Sequence, residues 1–170
     1  MTIRADDLAA TATAVTTSSA DETRDLAAAL ARAARAGDRI ALLGPLGAGK
    51  TQFAKGFAAG LGVREVVNSP SFTLMAEYTG RLPLFHQDLY RLAGAEEALH
   101  GGLVDERQQE GVTLAEWAER LPAAIDPDRL TIRFDVGEGD ERRITIIPAT
   151  NDHARFSTVA REWADRRAGR

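Results

Sequence analysis

Apolar and polar positions along this chain fall into short runs of two alternating periods. Over residues 20–35, Leu26, Ala29, Leu30 and Ala33 recur at three- and four-residue spacing, which predicts an amphipathic helix. Ser19-Ala20-Asp21-Glu22 in front of it has the form of a capping box, and Gly37 behind it is placed to stop the helix. The apolar run RIALL, residues 39–43, predicts a buried strand, and residues 52–61 return to helical spacing. NSPSFTL, residues 68–74, carries Pro70 at its middle, which no central strand tolerates, and reads as a loop entering a strand. LPLFHQDL (82–89) predicts a strand ending in Asp88, residues 96–103 a helix, and VTLAEW (112–117) a strand ending in Glu116. Residues 130–136 and 142–147 alternate about Gly137-Glu138-Gly139-Asp140, an antiparallel hairpin signal. A charged helix is predicted over 153–167, and the small polar stretch TATAVTTSS (11–19) reads as a flexible lead-in.

Between the first strand and its helix stands GPLGAGKT, residues 44–51, with the spacing of a phosphate-binding P-loop in the strand–loop–helix context where that loop works. Gly44, Gly47 and Gly49 supply a backbone with little side-chain bulk, so that successive N–H groups from Leu46, Gly47, Ala48 and Gly49 onward can face one concavity and cradle phosphate oxygens. Lys50 is placed to reach β- and γ-phosphates and Thr51 to ligate Mg²⁺ through its hydroxyl, with the following helix N-terminus adding partial positive charge. The motif points to a nucleoside triphosphate.

Composition narrows the remaining classes. A chain of 170 residues, 44% hydrophobic and 27% charged, fits one globular domain. The absence of cysteine excludes disulfides, thiolate metal sites and sulfur nucleophiles. A net charge of −4 is unlike a domain that neutralises many nucleic-acid phosphates itself. No run approaches membrane-spanning length and MTIRADDLAA lacks the apolar core of a secretory signal, so a cytoplasmic protein without membrane contact is expected.

In open α/β sheets ligands collect at the carboxyl ends of the strands, so carboxylates ending neighbouring strands can converge on a metal beside the P-loop. Asp88 and Glu116 meet that condition: one would hold Mg²⁺ and the other sit near the γ-phosphate. Strand-end carboxylates also serve as caps, and the residues alone leave both readings open. His86 shares the strand face of Asp88, yet a lone strand histidine is more often structural. Ser69, Ser71 and Thr73 could sense a γ-phosphate or simply build a turn. Arg91 could face phosphate or solvent, and Trp117 reads as core packing rather than a stacking platform.

GPLGAGKT, SPSFTL, HQDLYRL and AEWAER occur in this order in one chain, and together they resemble the TsaE (YjeE) family, bacterial P-loop ATPases of tRNA threonylcarbamoyladenosine synthesis. The resemblance runs from about residue 19 to residue 147 and implies an α/β single-domain P-loop NTPase fold, a mixed central sheet flanked by helices, with a C-terminal antiparallel hairpin. It assigns Lys50, Asp88 and Glu116 to catalysis, Thr51, Asp88 and Glu116 to the metal, and ATP and Mg²⁺ as cofactors. It also places Ser69-Pro70-Ser71 beside the γ-phosphate, and Ala20 or Thr23 with the turn from Gly139 to Arg143 near the adenine. It further implies action with a heterodimer of the TsaB and TsaD proteins, with tRNA met only through that complex, and no group transfer by this chain. Two departures stand out, Pro45 where a polar residue is common and Ser71 in place of Thr. The proline lacks an N–H, which would weaken phosphate binding by about 1 kcal/mol if that amide is normally used.

The domain reading that follows is a flexible lead-in over 1–18, a P-loop ATPase domain over 19–149 and a charged C-terminal helix or tail over 150–170. Two other functions compete with the ATPase: a small P-loop kinase, and a nucleotide-dependent binding switch with little hydrolysis. The acidic segment 94–111, with Arg107 as its only arginine, lacks the acceptor-binding arginines of a kinase.

Overall fold

The computed structural model describes residues 11–122 and 125–169. Its strands are β1 (Thr13–Thr17), β2 (Arg39–Leu43), β3 (Met75–Tyr78), β4 (Leu84–Asp88), β5 (Val112–Glu116), β6 (Leu130–Val136) and β7 (Arg142–Ile147). Its helices are α1 (Ala20–Arg32), α2 (Lys50–Gly60), α3 (Ala95–His100) and α4 (Ala154–Ala168), with short 3-10 turns at Glu106–Glu110, Ala118–Arg120 and Asn151–His153. The strands form one sheet in the order β1-β7-β6-β2-β5-β4-β3. β6, β2, β5 and β4 run parallel, while β3 closes one edge and β7 with β1 the other by antiparallel pairing. The sheet is therefore mixed and flanked by helices, as the family resemblance implies.

Side-chain alternation on the strands splits the core into two layers. Ile40 and Leu42 of β2 join Leu114, Ile132, Ile144 and the buried faces of α1, α2 and α4 in one cluster. Ala41 and Ala115 face the other way, against Leu89, Leu92, Ala98 and Leu103. Phe53 of α2 is fully buried and meets Phe134 of β6 edge to face, with ring centroids 5.6 Å apart, fixing the P-loop helix on the sheet. Gly56 and Gly60 of α2 lie so close to α1 that a Cβ on either would fall 2.2 Å from Arg24 O or 2.6 Å from Ala28 O.

The cap in front of α1 is real but offset. Ser19 Oγ accepts from Glu22 N at 3.1 Å, whereas Glu22 Oε2 accepts from Ser18 N at 2.6 Å rather than from the capping serine. The N-terminal segment differs from expectation, and the C-terminal helix is as expected but docked. Thr13–Thr17, within the stretch read as a flexible lead-in, is an edge strand paired with β7, its inward positions Thr13, Val15 and Thr17 all buried. The buried Thr17 hydroxyl is satisfied by the Thr23 hydroxyl at 2.8 Å, which is how a polar-looking segment can face a core. Residues 1–10 of that lead-in lie outside the described residues. The C-terminal charged segment is a helix docked on the core through Phe156, Ala160 and Trp163, and Trp163 Nε1 donates to Asp25 Oδ2 at 2.9 Å.

Candidate functional site

β2 ends at Leu43, and the loop that follows turns back on itself into α2 through three glycines with positive φ: Gly44 at 153°, Gly47 at 78° and Gly49 at 102°. A Cβ on Gly44 would stand 2.8 Å from Phe134 O, so the loop presses against β6 where no side chain fits. Gly49 opens α2 in the left-handed conformation without a side-chain cap, which leaves the first N–H groups of the helix available to an anion. Leu46, Gly47, Ala48, Gly49, Lys50 and Thr51 line a hollow of about 290 Å³ with Gln52, Glu116 and Trp117.

Parallel pairing of β4 with β5 sets Asp88 directly beside Glu116, and pairing of β5 with β2 sets Glu116 beside Leu42, next to the loop. Both carboxylates are buried. Glu116 Oε1 accepts the Thr51 hydroxyl at 2.7 Å, and Glu116 Oε2 lies 2.6 Å from His86 Nε2. Asp88 Oδ2 accepts from Ser69 Oγ and, at 3.3 Å, from Ser71 Oγ, while Oδ1 accepts from Tyr90 N at 3.0 Å. Asp88 thus holds the 68–74 loop with one oxygen and caps its own turn with the other, and the two readings of a strand-end carboxylate coexist in one residue.

Lys50 is buried, donates to Gly44 O and sits 3.5 Å above the centroid of the Trp117 ring. Burial lowers its pKa, and the negative charges of Glu119, Glu116 and Asp88 oppose that shift. Trp117 takes φ 56°, ψ 38°, a left-handed conformation uncommon for a bulky residue, immediately after Glu116. Its ring packs against the Leu89 side of the core but also forms the wall facing Lys50 and stands 5.0 Å from the Tyr90 ring, so it is more than core packing. The Arg91 guanidinium lies over Phe72 at 4.3 Å instead of at the loop, and the Thr73 hydroxyl turns to Met75 O at 3.4 Å.

A second hollow of about 200 Å³ shares Gly47, Gly49 and Gln52 with the first and is walled by Ser19, Ala20, Thr23, Asp140 and Arg142. Ala20 and Thr23 of the expected adenine surroundings are brought there, but Arg143 is not. Arg143 is exposed and alternates to the sheet face opposite Ile144, whereas Arg142 donates to Gly47 O at 3.3 Å and to Gly139 O at 2.9 Å. Gly139 acts through that carbonyl and does not line the hollow. Asp140 and Arg142 bring the expected 139–143 turn to this hollow, with the parity of β7 relative to Ile144 and Ile146 separating Arg142 from Arg143, whereas Gln52 and the His86–Glu116 contact were not singled out from the sequence.

Among the described residues no group of three or more His, Cys, Asp or Glu side chains could hold a metal by itself. The donors present, one hydroxyl and two carboxylates beside a phosphate loop, are hard oxygens and too few to encage an ion, which suits a Mg²⁺ that keeps waters and is completed by nucleotide phosphates.

A family model described as "Threonylcarbamoyl adenosine biosynthesis protein TsaE" matches residues 17–144. The tRNA threonylcarbamoyladenosine biosynthesis protein TsaE of Bacillus subtilis is 44% identical over 132 residues, covering 77% of this chain and 82% of its own length. The protein of the same name from Treponema pallidum is 40% identical, covering 75% of this chain and 95% of its own. The crystal structure of YdiB from Bacillus subtilis superposes with a TM-score of 0.67 at 38% identity, over 92% of this chain and 96% of that one. With the family model spanning the sheet from the end of β1 into β7 and these relatives covered over 82% and 95% of their own length, the chain belongs to the TsaE family.

Proposed function

We propose that this chain binds ATP with Mg²⁺ and hydrolyses it as a step in the threonylcarbamoyl modification of adenosine in tRNA, in the cytoplasm. In this reading it acts with the TsaB and TsaD proteins, does not transfer the group itself, and meets tRNA through that complex. The observation that carries the reading is the Thr51–Glu116 hydrogen bond of 2.7 Å with Asp88 in register beside it: a hydroxyl and two carboxylates gathered at the mouth of the phosphate loop. A bound Mg²⁺ would supply neutralisation of the charge on the phosphates. The backbone of residues 46–51 cradles phosphate oxygens, Lys50 contributes a cation held over Trp117, and Thr51 with Glu116 and Asp88 offers the oxygen ligands. The hollow between Ala20, Thr23 and Arg142 has the position for the nucleoside, continuous with the phosphate side through Gly47 and Gly49. The names of the relatives support the pathway.

ATP hydrolysis by the purified chain, alone and with TsaB and TsaD of the same organism, tests this, with Asp88→Ala as control. Turnover that requires Mg²⁺, rises with the partners and disappears in Asp88→Ala while the far-ultraviolet spectrum is kept is the expected result. Near-normal hydrolysis in that variant defeats the metal-site assignment. A phosphorylated metabolite formed in step with ADP would favour the kinase, and nucleotide binding without turnover under every partner condition the binding switch.

A further inference from the structure

His86 is fully buried on β4, two residues before Asp88 and on the same face of the strand. Its Nε2 lies 2.6 Å from Glu116 Oε2, and its Nδ1 is buried with no hydrogen-bond partner. These two facts fix the direction of the contact. A proton on Nδ1 would leave that N–H orphaned in the core and set the bare Nε2 lone pair against a carboxylate oxygen; a proton on Nε2 leaves only a weak acceptor unpaired and gives Glu116 a donor. Glu116 in turn has two hydrogen-bonded oxygens, one on the ring and one on the Thr51 hydroxyl at 2.7 Å. The carboxylate is buried, so loss of the ring donor would both cost it a charge-assisted hydrogen bond and release its rotation about the side chain.

We propose that His86 is a positioning residue for Glu116, holding Oε2 through Nε2–H so that Oε1 stays turned toward Thr51 at the cation side of the phosphate loop. The inference rests on the Mg²⁺-nucleotide reading above. It sets His86 apart from an ordinary buried histidine, which would support the fold and leave the cation requirement untouched.

The test reads the Mg²⁺ concentration that gives half-maximal thermal stabilisation of the full chain at saturating ADP, beside the melting temperature without ligand. His86→Leu, which removes the donor, is expected to raise that concentration about tenfold or more, and His86→Gln, which keeps an N–H at similar reach, to stay within about threefold of wild type. An unchanged Mg²⁺ requirement in His86→Leu, whatever its melting temperature, overturns the proposal. If His86→Leu does not fold, His86→Gln and ¹⁵N spectra of the wild-type imidazoles decide. Protonation at Nε2, with a shift on adding Mg²⁺ and ADP, supports the positioning role, and protonation at Nδ1 overturns it. A wild-type chain that gains no stability from Mg²⁺ and ADP overturns the nucleotide reading instead, so the two failures are distinguishable.

Discussion

His153 shows how a single side chain ties stability to pH. It is buried at the start of α4, its Nδ1 accepts from Ala149 N at 3.0 Å, and burial lowers its pKa, opposed by Asp38, Asp152 and Asp128 and assisted by Arg155. A lowered folded-state pKa means that the unfolded chain takes up the proton more readily. The contribution is complete above the ordinary value of 6.5 and is lost as pH falls from there toward the folded-state value. His153→Asn keeps an acceptor near the position of Nδ1 and does not titrate; urea unfolding between about pH 7.5 and about pH 5 should show a shallower loss of stability in the variant than in wild type. The same scale shows what could be read in advance. Lys50, Thr51, Asp88 and Glu116 were legible because glycine spacing and strand-end position constrain them independently of packing. Arg142 was not, since choosing between adjacent arginines requires knowing which parity of β7 faces α1. His153 was not, because nothing in a charged segment shows that its first turn closes over a buried ring.

At the scale of elements, the contact of α1 with α2 makes a prediction that propensity alone gets backwards. Alanine is favoured over glycine within a helix by about 1 kcal/mol. A Cβ at Gly56, however, would meet Arg24 O at 2.2 Å and Arg24 Cα at 2.5 Å, backbone that cannot swing aside. Gly56→Ala should therefore destabilise the protein by about 1–3 kcal/mol in chemical denaturation; stabilisation would show that the helices can separate at little cost. Trp163 of α4 is 3% exposed and bonded to Asp25, so Trp163→Ala should cost about 3–5 kcal/mol by the same measurement, whereas an undocked tail would lose almost nothing. Few and disguised inward positions hid β1 as a strand and hid the docking of α4, though not its helical form. β1 turns two threonines and one valine inward, and α4 buries Phe156, Ala160 and Trp163 within a stretch crowded with Arg155, Arg161, Glu162, Arg166 and Arg167. Strand β2 declared itself as a continuous apolar run, while β4 (LFHQD) and β5 (VTLAE), buried at every position, were legible from an apolar start and a carboxylate at the strand end.

For the molecule as a whole, strand order determines the site. Placing β2 between β5 and β6, with β4 outside β5, lines up the carboxyl ends that carry the phosphate loop, Glu116 and Asp88. A ligand bound by so many elements stabilises them together. ATP with Mg²⁺ at about a hundredfold excess over its dissociation constant should raise the unfolding free energy by about 2.7 kcal/mol, visible as a rise in melting temperature. Thr51→Ala, which removes the hydroxyl bonded to Glu116, should lose most of the Mg²⁺-dependent part of that gain and retain a stabilisation by nucleotide alone. Among the described residues no helix is long and apolar enough to cross a membrane.

The hollow beside Gly47 is closed on one side by Ala20 and Thr23 and on the other by Asp140 and Arg142, which lie far apart in sequence. A chain emerging from the ribosome displays its phosphate loop early, with the glycines and Lys50 already in place, yet lacks the far wall until β7 has been made. In the proposed reading, nucleotide capture in full is thus deferred until β7 has been made, and a product truncated before β7 would carry the P-loop sequence without its complete pocket.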